Sequence, residues 1–260
     1  MYRCLEATEE FGARCIVILE GPPHPLKAAK LRERAAGRER TGIPALAPQD
    51  YEPALALLRA LGIPIVQAPH DAEAQGAWMT QNGYADVLAT TDWDALAMGA
   101  GALLRGFSGR AAAPKGQTSW TYVPGRRALH ELDADRETLA VAAVLMGCDY
   151  FDGFKGIGPA KALKLARKNR RVLDLEAKPR HLAACLDELD ASNEERHEAH
   201  AALDYLLEPP HVDPGVITWR RPDLEDLDAR LRVHGAEVTN ALRARLARTA
   251  IVHEHRSVPA

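Results

Sequence analysis

Carboxylates recur in this chain at the ends of short apolar runs. Glu20 lies in Leu19-Glu20-Gly21, Asp71 and Glu73 follow Pro69-His70, Asp92 and Asp94 flank Trp93, and Asp149 lies in Gly147-Cys148-Asp149-Tyr150. Acids brought together bind hard divalent cations such as Mg²⁺ through oxygen. Two acids one residue apart share a face in a strand and diverge on a helix. Each pair must therefore sit where the backbone turns if both carboxylates are to reach one ion. A lone pair of this kind is more often a helix N-cap; its repetition at successive segment ends is what points to metal. Acids held together without cations would raise one another's pKa. Two divalent ions about 4 Å apart generate hydroxide from water and stabilise the attacking and leaving oxygens of a phosphodiester displacement. Such a centre needs no Ser, Cys or His nucleophile. The histidines, His24, His70, His130 and His181 among them, show no metal-ligand spacing.

A second constellation follows Asp149. Gly153-Phe154-Lys155-Gly156-Ile157-Gly158-Pro159 leads into Ala160-Lys161-Ala162-Leu163-Lys164, a helix start with proline in its first turn. Glycines let the backbone approach a phosphate closely, and a helix N-terminus favours negative charge. Lys155, Gly156, Gly158, Lys161 and Lys164 are therefore candidate contacts to a nucleic-acid backbone; the plain alternative is a helical-hairpin turn. The stretch from Pro22 to Pro48 also stands apart, with Lys27, Lys30, Arg32, Arg34, Arg38 and Arg40 and few large apolar residues. It reads either as a solvated helix face or as a phosphate-contacting element.

The elements that must position these residues follow from the hydrophobic pattern. Residues 14–19, 63–67 and 86–90 are short β-branched runs separated by helix-like sequence, the alternation of a parallel α/β sheet whose functional residues sit at carboxyl ends of strands. Residues 102–106 and 118–123 read as further strands, with an antiparallel edge. Beyond Pro124 the pattern turns helical, over Leu139–Met146, Ala160–Lys168, His181–Leu189, Glu195–Leu206 and Leu224–Leu231. Pro209-Pro210 and Pro214 break it. The expected division is an α/β part over 1–123 and a helical part over 124–260.

With 260 residues, 47% of them hydrophobic, the chain can bury a sizeable core. A net charge of −3 and a pI near 6.4 argue against binding polyanions by bulk charge, so contact with nucleic acid must come from local basic patches. The four cysteines (Cys4, Cys15, Cys148, Cys185) show no C-x-x-C spacing and read as buried reduced thiols. No membrane-spanning run or secretion signal is legible. The expectation is an intracellular protein of the cytoplasm and nucleoid, or of a nucleus.

In these motifs the chain resembles the flap-endonuclease (XPG-like) family of structure-specific 5′ nucleases. Residues 68–75, Ala-Pro-His-Asp-Ala-Glu-Ala-Gln, look like the family's internal acidic motif, Thr91-Asp92-Trp93-Asp94 like its acidic pair, and residues 145–150 like its last metal-ligand strand end. Gly153 to Leu165 is similar to its helix–three-turn–helix DNA clamp, placed at about 148–170, and residues 216–224 resemble the tail of its nuclease core. The resemblance implies a PIN-like, mostly parallel sheet flanked by helices, followed by a helical part carrying the clamp. It implies a Mg²⁺-dependent 5′-flap endonuclease of replication and repair with two ions, Mn²⁺ able to substitute, and K⁺ at the clamp turn. Glu20, Asp71 and Glu73 would serve the first ion, and Asp92, Asp94 and Asp149 the second. Lys27, seven positions after Glu20, and Arg34, seven further on, match the family's catalytic basic pair on one helical face. The implied partner is branched or flapped duplex DNA bound by a monomer; no membrane partner is expected, and no sliding-clamp docking motif is evident in the sequence. The alternative implied is a junction-binding relative that keeps the clamp but has lost catalysis.

Three departures accompany the resemblance. The match begins downstream of the family's first, aspartate-bearing strand, with Met1-Tyr2-Arg3 corresponding to a later helix. Glu20 stands where the family has aspartate and Asp71 where it has glutamate, each exchange moving a carboxylate by about one methylene, which is large against coordination tolerances. The arch is short, with Thr41 to Pro48 expected as a proline-punctuated loop.

Overall fold

A computed structural model describes residues 7–8, 12–41, 48–106, 120–170, 179–233 and 235–253. The strands, in chain order, are β1 (Val17–Leu19), β2 (Ile65–Gln67), β3 (Leu88–Ala89), β4 (Ala102–Arg105) and β5 (Thr121–Pro124). The helices are α1 (Ala28–Thr41), α2 (Pro48–Ala60), α3 (Ala72–Gln81), α4 (Asp94–Ala97), α5 (Gly125–Glu131) and α6 (Arg136–Met146). They continue with α7 (Pro159–Asn169), α8 (Pro179–Glu188), α9 (Asn193–Leu207), α10 (Leu224–Val233) and α11 (Asn240–His253). A 3₁₀ turn at Pro25–Lys27 precedes α1. The five expected strands and five expected helices are all present. Strand pairing is parallel for β1–β2 and β3–β4 and antiparallel for β4–β5, so the edge is antiparallel as its sequence predicts. The ladders form two separate sheets rather than one. Four readings fall outside the described residues: the N-terminal helix at Met1 to Arg3, Cys4, residues 42–47 of the arch loop, and the start of the strand at 118–119. The helix α11 is an element the sequence reading did not assign.

Contacts divide the chain into two units interleaved along the sequence. One comprises residues 1–19, 38–67 and 213–260, the other 20–37 and 68–212. Position 124, where the pattern turns helical, lies inside the second. In the first unit β1 pairs with β2 in register Val17↔Ile65 and α2 packs on α10. Trp219 donates its indole N–H to the Cys15 carbonyl at 2.8 Å, under the Arg14 guanidinium.

The second unit is built around α6. Its N-cap Asp135 accepts the Thr138 amide at 2.7 Å, and apolar residues at helical spacing bury Ala140, Val141, Val144 and Leu145 completely. α5 and β5 are joined at Pro124–Gly125, and α4, α7 and α9 pack on α6. At its end the chain reverses through Gly147, whose φ is +97° and whose added Cβ would lie 2.6 Å from the Asp152 carbonyl oxygen. Gly153 closes the reversal, because a Cβ there would come within 2.4 Å of the Gly147 nitrogen. Phe154 N–H returns to the Leu145 carbonyl at 3.1 Å, and Cys148 bridges Phe151. Asp149 rides at the tip of this fold-back. The expectation of a strand end at 145–150 is corrected: the helix runs to Met146, its residues 140–145 are buried on every side, and the chain then reverses through Gly147. Of the cysteines expected to be buried, Cys185 is, whereas Cys15 and Cys148 are half-buried; burial pushes the thiols of Cys148 and Cys185 up to about 11. Among the described residues no helix is long and apolar enough to cross a membrane.

Candidate active site

All six predicted metal ligands and both predicted catalytic cations belong to the second unit. Asp71 occupies the N-cap position of α3 with extended backbone, yet its carboxylate makes no cap bond. Glu20 caps instead: its Oε2 accepts the Ala72 amide at 2.8 Å, while Gly21 N–H bonds the His70 carbonyl at 2.6 Å. Asp71, 2% exposed, turns inward. Its Oδ2 accepts the Tyr150 hydroxyl at 2.9 Å and the Tyr205 hydroxyl, and its Oδ1 accepts the Lys27 ammonium. Burial alone would raise the Asp71 pKa, but these donors outweigh it and hold the carboxyl below the usual aspartate value. Burial beside the same carboxylate drives the two tyrosine hydroxyls far above theirs. Neither tyrosine was singled out by sequence reasoning. Tyr150 adjoins Asp149, which was a usable signal. Tyr205 lies 134 positions from Asp71, on α9, and has none.

Glu73, in the first turn of α3, accepts the Thr90 hydroxyl at 3.2 Å. Thr90 also receives the Asp92 amide at 3.0 Å, and Asp92 Oδ1 receives the Asp94 amide at 2.9 Å. Thr90 thus fixes the turn after β3 that lets two acids flanking one residue serve one place. Asp94, at the start of α4, bears the consequence. Burial first, then the charges of Asp92, Asp149 and Glu73, push its carboxyl up to about 6, with Lys27 opposing. Burial and the charges of Asp71 and Glu73 also raise Glu20, against the Ala72 bond and Lys27. The acids are therefore one electrostatic cluster.

Lys27 and Arg34 reach it from the 3₁₀ turn and α1. Lys27 Nζ lies 3.5 Å from Asp149 Oδ2 as well as on Asp71, and Arg34 Nη2 lies 2.7 Å from Asp149 Oδ1. Burial would lower the Lys27 pKa, but the bond to Asp71 and the charges of Asp149 and Glu20 raise it. The seven-residue spacing does bring both cations to one carboxylate. The rest of the basic stretch is less committed: Lys30 pairs with Glu33 on the helix surface at 2.9 Å, and Arg32 is exposed.

The donor set fits a hard divalent ion in chemistry: carboxylate oxygens of one sign, strained enough to raise an aspartate pKa. Glu73, Asp92, Asp94 and Asp149 would hold such ions, with Glu20 and Asp71 beside them. Among the described residues, however, no three His, Cys, Asp or Glu side chains are disposed as a ready metal cage. Lys27 and Arg34 neutralise Asp149 and Asp71 in this arrangement.

Lys155, Gly156, Gly158, Lys161 and Lys164 are all exposed, on the loop between α6 and α7 and the first turns of α7. Gly158 is the N-cap of α7, with Pro159 behind it, and Lys161 bonds the Gly156 carbonyl at 3.1 Å. The α7 face opposite the lysines buries Ala162 and Ala166 completely.

Residues 62–149 match the XPG I-region family. Flap endonuclease 1 of Thermococcus onnurineus is 30% identical over 255 residues, covering 87% of this chain and 70% of that protein. Among solved structures, flap endonuclease-1 from Methanococcus jannaschii superposes with a TM-score of 0.69 at 21% identity, over 97% of this chain and 78% of that one. The catalytic core of Rad2 in complex with DNA substrate superposes at 0.68 and 22% identity, over 89% of this chain and 77% of that one.

Proposed function

The chain belongs to the flap endonuclease family of structure-specific 5′ nucleases, and from that premise we propose that it is a Mg²⁺-dependent endonuclease cutting flapped or branched DNA where duplex meets a single strand. The observation that carries this reading is the convergence of Lys27 and Arg34 on Asp149, beside acids crowded enough to lift Asp94 to about 6. Acid crowding of that kind is relieved by cations, and cations poised on a carboxylate are available to a phosphodiester.

Mg²⁺, when bound, supplies activated water and stabilises charge on the leaving oxygen. Everything else falls to the chain. Asp92 and Asp94 are set by the Thr90 turn, and Asp149 by the Gly147–Gly153 fold-back. Lys27 and Arg34 exchange their carboxylate partners for the scissile phosphate and hold it. Lys27 is oriented by Asp71, itself held by Tyr150 and Tyr205. The lysines around Gly156 and Gly158 grip the duplex backbone without reading bases, and K⁺ belongs at that turn. The protein would act where cellular DNA is kept.

A second reading has its own support. Lys27 pairs with both Asp71 and Asp149, so protein cations already neutralise two of the acids, as they would in a junction-binding relative without catalysis. A labelled 5′-flap duplex separates the two. Cutting with Mg²⁺ that Asp149→Asn abolishes supports the enzyme; tight binding without cutting in Mg²⁺ or Mn²⁺ supports the binder.

A further inference from the structure

Trp93 stands between Asp92 and Asp94 in the turn after β3, and it is 53% exposed. A tryptophan is the largest apolar side chain to leave in water, and this turn does not need it: the turn is held by Thr90 and the Asp92 carboxylate. The indole nonetheless has a partner. β4 runs parallel to β3 in register Ala89↔Leu104, so the next residue, Arg105, emerges at the same sheet end, and its guanidinium lies 3.9 Å from the Trp93 ring centroid. Arg105 Nη1 is buried and has no hydrogen-bond partner among the described residues. The guanidinium is thus spent on the ring rather than on a carboxylate. The guanidinium is attracted to the indole ring, and at 53% exposure the side chain keeps much of its surface open to solvent.

We propose that Trp93, backed by Arg105, is a stacking platform for an unpaired nucleobase of the strand being cut, next to the scissile phosphate. The assignment rests on the nuclease reading above, and deepens it by naming a contact to a base where the other cationic and acidic groups meet only the backbone. Every base has a π face, so the platform accepts any sequence while requiring that the base be unpaired. It favours single-strand junctions over continuous duplex at the metal-bearing turn itself. Stacking of one base on an aromatic side chain changes affinity by roughly fivefold to 150-fold.

The test is a mutant cycle on binding in EDTA, read by anisotropy of a labelled 5′-flap duplex. One arm is Trp93→Ala, and the other replaces the nucleotide flanking the scissile phosphate with an abasic residue. Trp93→Ala on intact DNA and wild type on abasic DNA should each lose about tenfold. The two together should lose no more than either, and Trp93→Tyr should restore binding of intact DNA. Additive losses, or wild-type affinity for Trp93→Ala, overturn the platform while leaving the nuclease reading intact. Wild-type protein that binds no flap DNA at all overturns both.

Discussion

Asp94 carries the sharpest consequence at the scale of single residues. Its carboxyl holds a proton up to about pH 6, against 3.8 ordinarily. Between those values the unfolded chain ionises first, so folding loses stability as pH rises through that window, and the whole penalty stands above it. At about 1.4 kcal/mol per tenfold change in proton affinity, the penalty is on the order of 2–3 kcal/mol. Asp94→Asn should therefore melt higher than wild type at pH 7.5 in EDTA, while abolishing Mg²⁺-dependent cleavage; a lower melting temperature would mean that the acid is structurally satisfied. Lys27 and Arg34 make a different prediction. Each touches Asp149 rather than a distant surface, so Lys27→Ala and Arg34→Ala should lower the single-turnover cleavage rate at least tenfold and change flap affinity little. Equal losses in both would make them simple binding contacts. Most of these residues were legible, because acids and bases at fixed spacings stand out against apolar runs. What the sequence could not convey was their partnering. Asp71 sits in an N-cap position and reads as a cap, yet Glu20 makes the cap bond, and Asp71 answers to a tyrosine on a helix far along the chain. Long-range hydrogen bonds leave no periodicity to detect.

Among the elements, α6 matters most because its last turn launches the loop that bears Asp149. It starts at Asp135, whose carboxyl is buried enough to be raised but is lowered on balance by its bonds to Thr138. A lowered pKa stabilises the fold fully above the unfolded value near 4, and the contribution disappears as pH falls through the folded value. Asp135→Ala should cost about 1 kcal/mol in urea denaturation at pH 7, a difference that shrinks as pH falls below the ordinary aspartate value; an undiminished difference would assign the loss to packing. The helices were readable where one face is apolar and the other charged, as in α7 and α9. The likeness of residues 145–150 to a motif predicts a strand end, whereas the helix ends at Met146 and the chain turns back through Gly147 and Gly153, a reversal set by close backbone packing. α11, from Asn240 to His253, mixes arginines and small apolar residues around its circumference and offered little amphipathic signal.

For the whole molecule the main fact is economy of place. Acids spread from residue 20 to residue 149 fall in the same contact unit as the two cations and the glycine turn. The parallel ladders and helical half were legible from alternation and spacing; the interleaving of the two units was not, because contact order is invisible to local pattern. A net charge of −3 also takes on meaning here, since bound cations would cancel part of the acid excess. Hydrolysis at this site requires those acids to share ions. Titrating metal-free protein with Mn²⁺ and following its paramagnetic resonance tests this most directly. Two bound ions per chain with mutual spin coupling, reduced to weak uncoupled binding by Asp92→Asn, is the predicted result. Binding no tighter than that of scattered surface carboxylates, unchanged by the substitution, would contradict it.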